Sequence, residues 1–245
     1  RHDQVVPEGH FGENAAMLVD TGYGIEDVAD FMRHMTDLPL TVFLTHNHHD
    51  HAMGARCFPE TYMLEADMAD WRMFTNDEMR RRVLTQAIGK NLTVDEKTFL
   101  AGEIPLPKVM KPGVIDLGGL TAEIIEAPGH TPGSAVVYVP ERKLLLSGDD
   151  WNPCTWLFFP QALGLREYRS NMRGIQQLPF EKVLCPHREA LYDRWMFDDF
   201  FNALTDGNLR AAEPVNIAPY EQIDTCQATL PHDQVLVFDW AKSGL

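Results

Sequence analysis

The sequence predicts a single α/β domain spanning residues 1–245, on three observations. Short apolar runs, of the length buried strands require, alternate with stretches of helical periodicity. Hydrophobic residues make up 44% of the chain, enough for a substantial core without disulfide staples. No internal repeat, low-complexity tract or linker-like passage divides the sequence.

The elements follow in order. Runs 14–20 (NAAMLVD) and 40–45 (LTVFLT) read as buried strands with an amphipathic helix near 25–35 between them, a βαβ-like start. Helical periodicity then runs from 65 to about 89 through Met68, Trp71, Met73, Phe74, Met79 and Val83, before a Pro- and Gly-rich passage, AGEIPLPKVMKPG. Residues 65–113 form a helical insertion whose apolar stripe is what packing on a sheet requires, ahead of a role as a lid. Residues 117–127 read as a hairpin turning at Gly118-Gly119, and 135–139 with 144–147 as a second hairpin around Pro140 to Lys143. Helix (166–178), strand (182–185) and helix (189–204) come next, and 234–238 supplies a late strand.

Composition limits the partners. With 21 basic and 36 acidic residues the net charge is −15, and such a surface repels polyanions except at a locally cationic site. Nucleic acid binding, which needs clustered Lys and Arg, is therefore disfavoured. The only basic cluster along the sequence, Arg80 to Arg82, reads as a solvated helix face. No apolar run approaches the ~20 residues needed to span a bilayer. The first ten residues, RHDQVVPEGH, lack the apolar core of a signal peptide, and a start at Arg1 rather than Met suggests that the native start is missing. Cys57, Cys154, Cys185 and Cys226 form no C-x-x-C pair, which fits reduced thiols in a cytoplasmic protein.

The chemistry concentrates behind the second strand. The stretch 42–54, VFLTHNHHDHAMG, packs four histidines and an aspartate into six positions. An extended backbone alternates its side chains, so His46 and His48 point to one side and can grip one cation. Asp50 and His51 lie where the chain turns into a helix and can reach a second, while His49 is out of phase. Three more metal-capable residues open later loops, each after a predicted strand: His130 in APGHTPGS, Asp149 in LSGDD and His187 in LCPH. A polar loop with surface histidines explains any one of these, but not the set.

His46-x-His48-x-Asp50-His51, the GHTPGS loop, the SGD at Asp149, the late His187 and Asp20-Thr21-Gly22 after the first strand together resemble the metallo-β-lactamase superfamily over residues 14–187. The resemblance implies an αββα four-layer sandwich of two mixed β-sheets with outer helices and a binuclear site at one sheet edge. It implies that His46, His48 and His130 bind one metal and Asp50, His51 and His187 a second, with Asp149 bridging. The ligand types suit two Zn²⁺ with bonds near ~2.0–2.2 Å, and iron or manganese accept the same donors. A metal-bound hydroxide then serves as nucleophile, with Asp50 orienting it; turn-forming or core-filling roles are favoured for Ser134, Ser147 and Cys154.

Asp149 separates branches, since several lactam-cleaving members carry cysteine or no bridging carboxylate there. Its presence resembles the thioesterase, lactonase and phosphodiesterase branches, so a zinc-dependent hydrolase of a small ester, thioester or lactone is expected. A β-lactam hydrolase, a phosphodiesterase and a non-hydrolytic iron redox or binding module are the alternatives. His48 stands where the iron redox branch typically has glutamate, and no flavin-binding domain is fused within the 245 residues. Residues 207–245 hold only Arg210 and Lys242 as cations, a poor setting for the anionic glutathione of the glyoxalase II comparison. Trp151 and the aromatic run Trp156, Phe158 and Phe159 read equally as an apolar wall beside the metals and as core packing. Arg188 reads as a surface ion-pair partner or a clamp for a substrate carboxylate. The oligomeric state and the natural substrate are not encoded legibly.

Overall fold

Ala16–Val19, buried at every position, is an interior strand of a mixed sheet, and its unbroken apolar run is what burial on both faces demands. The computed structural model describes residues 7–245. The preceding six, which include most of the stretch read as lacking a leader's apolar core, lie outside the described residues. By contacts the chain divides into two compact units: residues up to Ala122 with Pro186–Glu189, and Glu123–Cys185 with Ala190–Leu245. Among the described residues no helix is long and apolar enough to cross a membrane.

The first unit carries a five-stranded sheet in the order Glu8–Phe11, Ala16–Val19, Leu40–Phe43, Tyr62–Met63, Lys108–Val109. The first pair is antiparallel and the rest parallel, with Ala16 opposite Leu40. Parallel neighbours need a crossover, and the helix Val28–Met35 provides it, capped by the Asp27 carboxylate accepting from the Asp30 amide. Its Ala29 and Met32 pack on Leu18, Val42 and Phe58. The insertion holds helices Trp71–Thr75, Asp77–Gly89 and Glu96–Phe99, and it also returns the edge strand Lys108–Val109. Trp71, Val83, Leu84 and Phe99 are buried with Leu44, Met53 and Met63, so most of its apolar stripe packs into the core, whereas Met73 is exposed.

Arg80 corrects the solvated-face expectation. It is 1% exposed, because its guanidinium donates to the carbonyls of Phe99, Ala101 and Gly102. Those carbonyls end the helix Glu96–Phe99 and need donors that the helix cannot supply.

The second unit carries the strands Leu191–Asp193, Lys182–Leu184, Leu144–Leu146 and Ala135–Val139, neighbours in that order, with most of Thr121–Glu126 next; the unit boundary falls inside that last strand, and Gly113–Asp116 belongs to the first unit. The expected hairpin of Ala135–Val139 with Leu144–Leu146 forms; the one expected over 117–127 turns at Gly118-Gly119 as read, but its first strand is Gly113–Asp116, before that span. A third sheet, Cys154–Leu157, Gln234–Asp239, Thr225–Leu230, Glu213–Pro214, contains the expected late strand as Gln234–Asp239; its other three strands were not expected from the sequence. The run TCQATL alternates polar and apolar residues, and its Cys226, Ala228 and Leu230 are buried, so its strand period was present in the sequence and was passed over; it pairs with Gln234–Asp239 in a six-residue register. The expected helix over 189–204 is likewise corrected: Leu191–Asp193 is a strand and the helix is Arg194–Ala203. Lys182 stands opposite Asp193 across that pair and forms an ion pair with it at 2.5 Å, the opposite-charge pairing that favours a ladder. The core of this unit gathers Trp151, Tyr168, Phe180, Phe197, Phe200 and Phe238. The observed class is α/β with mixed sheets and helices, as expected.

Candidate metal centre

In the first unit the ligand-bearing loop leaves the strand Leu40–Phe43 and turns into the short helix His49–Ala52. Asp20, in the left-handed region at φ 61°, organises it. Aspartate tolerates that conformation better than most residues. Its carboxylate accepts from the Thr45 amide at 2.7 Å, the Thr45 hydroxyl at 2.9 Å and His51 Nδ1 at 2.8 Å. The Thr45 hydroxyl, donating to Asp20, in turn accepts from His46 Nδ1 at 3.0 Å. Both imidazoles therefore carry their proton on Nδ1 and present Nε2 as the lone-pair nitrogen, the tautomer that a metal ligand needs.

Close packing fixes the rest of the loop. Thr21 donates through its amide and hydroxyl to the His51 carbonyl. A Cβ on Gly54 would stand 2.1 Å from the Thr21 carbonyl oxygen, so only glycine fits there. Asn47 is held by Asp67, its amide on the Asp67 carboxylate and its side chain on the Asp67 carbonyl. The His46 ring lies 4.7 Å from that of His48 and 4.0 Å from that of His51.

Asp50, His51 and His187 bring ligand atoms within 4.8 Å of one another. Asp50 Oδ2 is 3.6 Å from His187 Nε2 and 3.9 Å from His51 Nε2. A tetrahedral zinc ion holds its ligand atoms about 3.4 Å apart, so the donor set fits such an ion with little adjustment. His187 has φ 43°, a conformation costing roughly 1–2 kcal/mol for a side chain of this type. Strain of this kind concentrates at functional positions. His49 turns elsewhere, edge-on to Tyr23 at 5.5 Å, and burial holds its imidazole below the ordinary histidine range.

In the second unit His130 Nε2 lies 3.4 Å from Asp149 Oδ2. Here the backbone orients the ring: His130 Nδ1 donates to the Trp156 carbonyl at 2.6 Å. The neighbouring Asp150 accepts from the His130 amide at 3.1 Å. Tyr168, fully buried, donates its hydroxyl to the Asp150 carbonyl at 2.5 Å. Burial, and then the Asp150 charge, push its phenol well above the usual range, so it remains a donor. A Cβ on Gly129 would meet the Tyr168 ring at 2.5 Å, which is why the GHTPGS loop opens on glycine. Ser134 bonds Thr131 and Ser147 donates to the Trp151 carbonyl, so both have structural partners.

Within the first unit the structure thus gathers His46, His48, Asp50, His51 and His187, and within the second His130 and Asp149. Sequence reading gave no role to Thr45, Asp67, Asp150 or Tyr168, and knew Asp20 only through a resemblance. Asp150, adjacent to Asp149, is the one member of this group with a local signal. The others act through partners 18–31 positions away, or through a neighbour that no spacing rule marks.

Mixed sheets with helices, and clustered imidazoles and carboxylates on strand-leaving loops, define an α/β protein with a candidate metal centre. The chain belongs to the Metallo-beta-lactamase superfamily, whose family model matches residues 10–187. It is 26% identical over 199 residues, 72% of this chain and 69% of the other, to Acyl-coenzyme A thioesterase MBLAC2 of Gallus gallus. Its fold is similar to metallo-beta-lactamase family protein TTHA1429 of Thermus thermophilus, at 18% identity and TM-score 0.60 over 84% of this chain and 76% of that one. It is also similar to TTHA1623, whose structure is of a di-iron-bound form, at 18% identity and TM-score 0.55 over 78% and 90%.

Proposed function

We propose that this protein is a binuclear zinc-dependent hydrolase that cleaves an ester, thioester or lactone of a small molecule. The observation that carries the reading is the cluster of Asp50, His51 and His187, with ligand atoms within 4.8 Å of one another and His51 pinned in its ligating tautomer by Asp20. In this reading the two units act as one domain: His46, His48 and His130 hold one metal, Asp50, His51 and His187 the other, and Asp149 joins both. When bound, such a pair lowers the pKa of water towards ~7 and offsets the charge that develops as the acyl bond breaks. The chain's own part is to place the attacking water. The Asp50 carboxylate, 15% exposed, orients it and takes its proton.

Among the three bonds the thioester is favoured, because the Gallus gallus relative is described as a thioesterase of acyl-coenzyme A. The aromatic run after Asp149 supports an apolar acyl group: Phe159 stands edge-on to the His130 ring at 5.4 Å, and Trp156 is 39% exposed. Of the two cations of the C-terminal stretch, Lys242 is committed elsewhere. Lys242 Nζ donates to the carbonyls of Phe159, Pro160 and Ala162, which supports setting aside the glutathione carrier. Four free cysteines support a reducing compartment, the cytoplasm.

The test is metal analysis of the isolated protein combined with an ester, thioester, lactone and lactam panel. Zinc with chelator-sensitive turnover of acyl substrates is expected. Iron with no turnover of any of them would overturn the proposal in favour of a redox or binding module.

A further inference from the structure

Away from the metal ligands, the second unit carries a cleft of about 180 Å³ between the helices Leu165–Ile175 and Arg194–Ala203. Arg169, Arg173 and Gln176 line one side, Asn202 and Thr205 the other, over Phe201. The charge here runs against that of the chain. Arg166, Arg169 and Arg173 repeat at i, i+3 and i+7, which places them along one helix face, and the hydrogen bond from Arg169, with the charges of Arg210 and Arg166 behind it, holds the Asp206 carboxylate below the ordinary aspartate range.

That carboxylate does not exhaust the donors. Arg169 contacts Asp206 through Nη1 at 2.7 Å, and no partner for its other nitrogens is found among the described residues. Arg173 makes no hydrogen bond or ion pair among the described residues. The other nearby carboxylate, Asp198, is engaged by Arg194 at 3.0 Å. Two like charges one helical turn apart disfavour the helix that carries them, and an arginine fork matches a tetrahedral oxyanion. On a protein of net charge −15 such a patch is the locally cationic site at which an anion can be held.

We propose that this cleft, separate from the metal centre, binds a small phosphate-type dianion through the guanidinium groups of Arg169 and Arg173, with Gln176, Asn202 and Thr205 as neutral polar partners. Its concave lining, with Phe201 and Leu204 beside the polar groups, suits a small ligand over a nucleic acid backbone, which needs an extended track of cations. Free inorganic phosphate and the phosphate of a monoester share this chemistry.

Calorimetric titration of the metal-loaded full chain, with inorganic phosphate in one arm and phenyl phosphate in the other, decides the matter and the source. Saturable binding that weakens about tenfold or more in Arg173→Gln, and more in the double variant with Arg169→Gln, is the expected result. Added salt should weaken it further. Circular dichroism checks that the variants fold, and Asp50→Ala serves as the control for phosphate at the metal centre. Binding unchanged in Arg173→Gln, or abolished only in Asp50→Ala, would overturn the proposal. So would failure of both probes while an RNA oligomer binds through the same arginines. Loss of metal or of turnover leaves this cleft intact, so its failure and that of the hydrolase reading are distinguishable.

Discussion

The two units orient their histidines by different means. In the first, the side chain of Asp20 fixes His51 directly and His46 through Thr45. In the second, His130 leans on a backbone carbonyl, that of Trp156, and the surrounding loop is steadied by Asp150 and Tyr168. A ring held by a side chain can be released by one substitution. A ring held by a main-chain oxygen cannot, because every residue at that position offers the same acceptor. The first unit should therefore be the more fragile under mutation, and the second should lose function mainly through its packing.

The largest effect is expected at Asp50, which in the proposed reading both ligates the second metal and orients the attacking water. Asp50→Ala should lower turnover by roughly 10²–10⁴-fold while circular dichroism stays that of the parent. Near-parent rates would remove the positioning role. Next comes the contrast itself. Asp20→Ala should weaken metal retention by about 10–100-fold, as loss of a residue supporting a ligand does, and competition with a chelator reads this out. If metal affinity is unchanged, the side-chain support drawn from the geometry is wrong.

Packing changes rank below these. Gly54→Ala must displace the Thr21 carbonyl from a 2.1 Å approach and should cost about 1–3 kcal/mol in denaturant unfolding. Tyr168→Phe removes one hydrogen bond to the Asp150 carbonyl and should cost about 1 kcal/mol, with only a small loss of metal. The smallest metal effect is predicted at Trp156: Trp156→Ala keeps the carbonyl that His130 uses, so metal content should stay at the parent level while KM for apolar acyl substrates rises. Metal loss in Trp156→Ala would erase the distinction between the units.

Much of this was legible in the sequence where chemistry sits close together in the chain. The His46 to His51 cluster, the βαβ start, the hairpin around Pro140 to Lys143 and the turn at Gly118-Gly119 follow from local spacing and alternation, and the loops at His130, Asp149 and His187 each follow a strand. What could not be read depends on partners distant in sequence. Arg80 looks like a surface charge until the carbonyls of Phe99, Ala101 and Gly102 reach it. Thr225–Leu230 is the exception, since its polar–apolar alternation was legible and was overlooked; the register with Gln234–Asp239 completes the strand. Tyr168 has no role on its own helix; its partner is a carbonyl 18 positions earlier. The arginine face at 166, 169 and 173 was readable from helical spacing. Its three arginines are interrupted by acidic and neutral residues, so along the chain only Arg80 to Arg82 stand out as a basic run.

The most direct test is an anomalous difference map from crystals of the isolated protein, collected at the zinc and iron edges. Two zinc peaks are predicted, one held by His46, His48 and His130, the other by Asp50, His51 and His187, with Asp149 touching both. A map with no peak at these side chains, from protein that still turns over acyl substrates, would contradict the metal-centred reading outright.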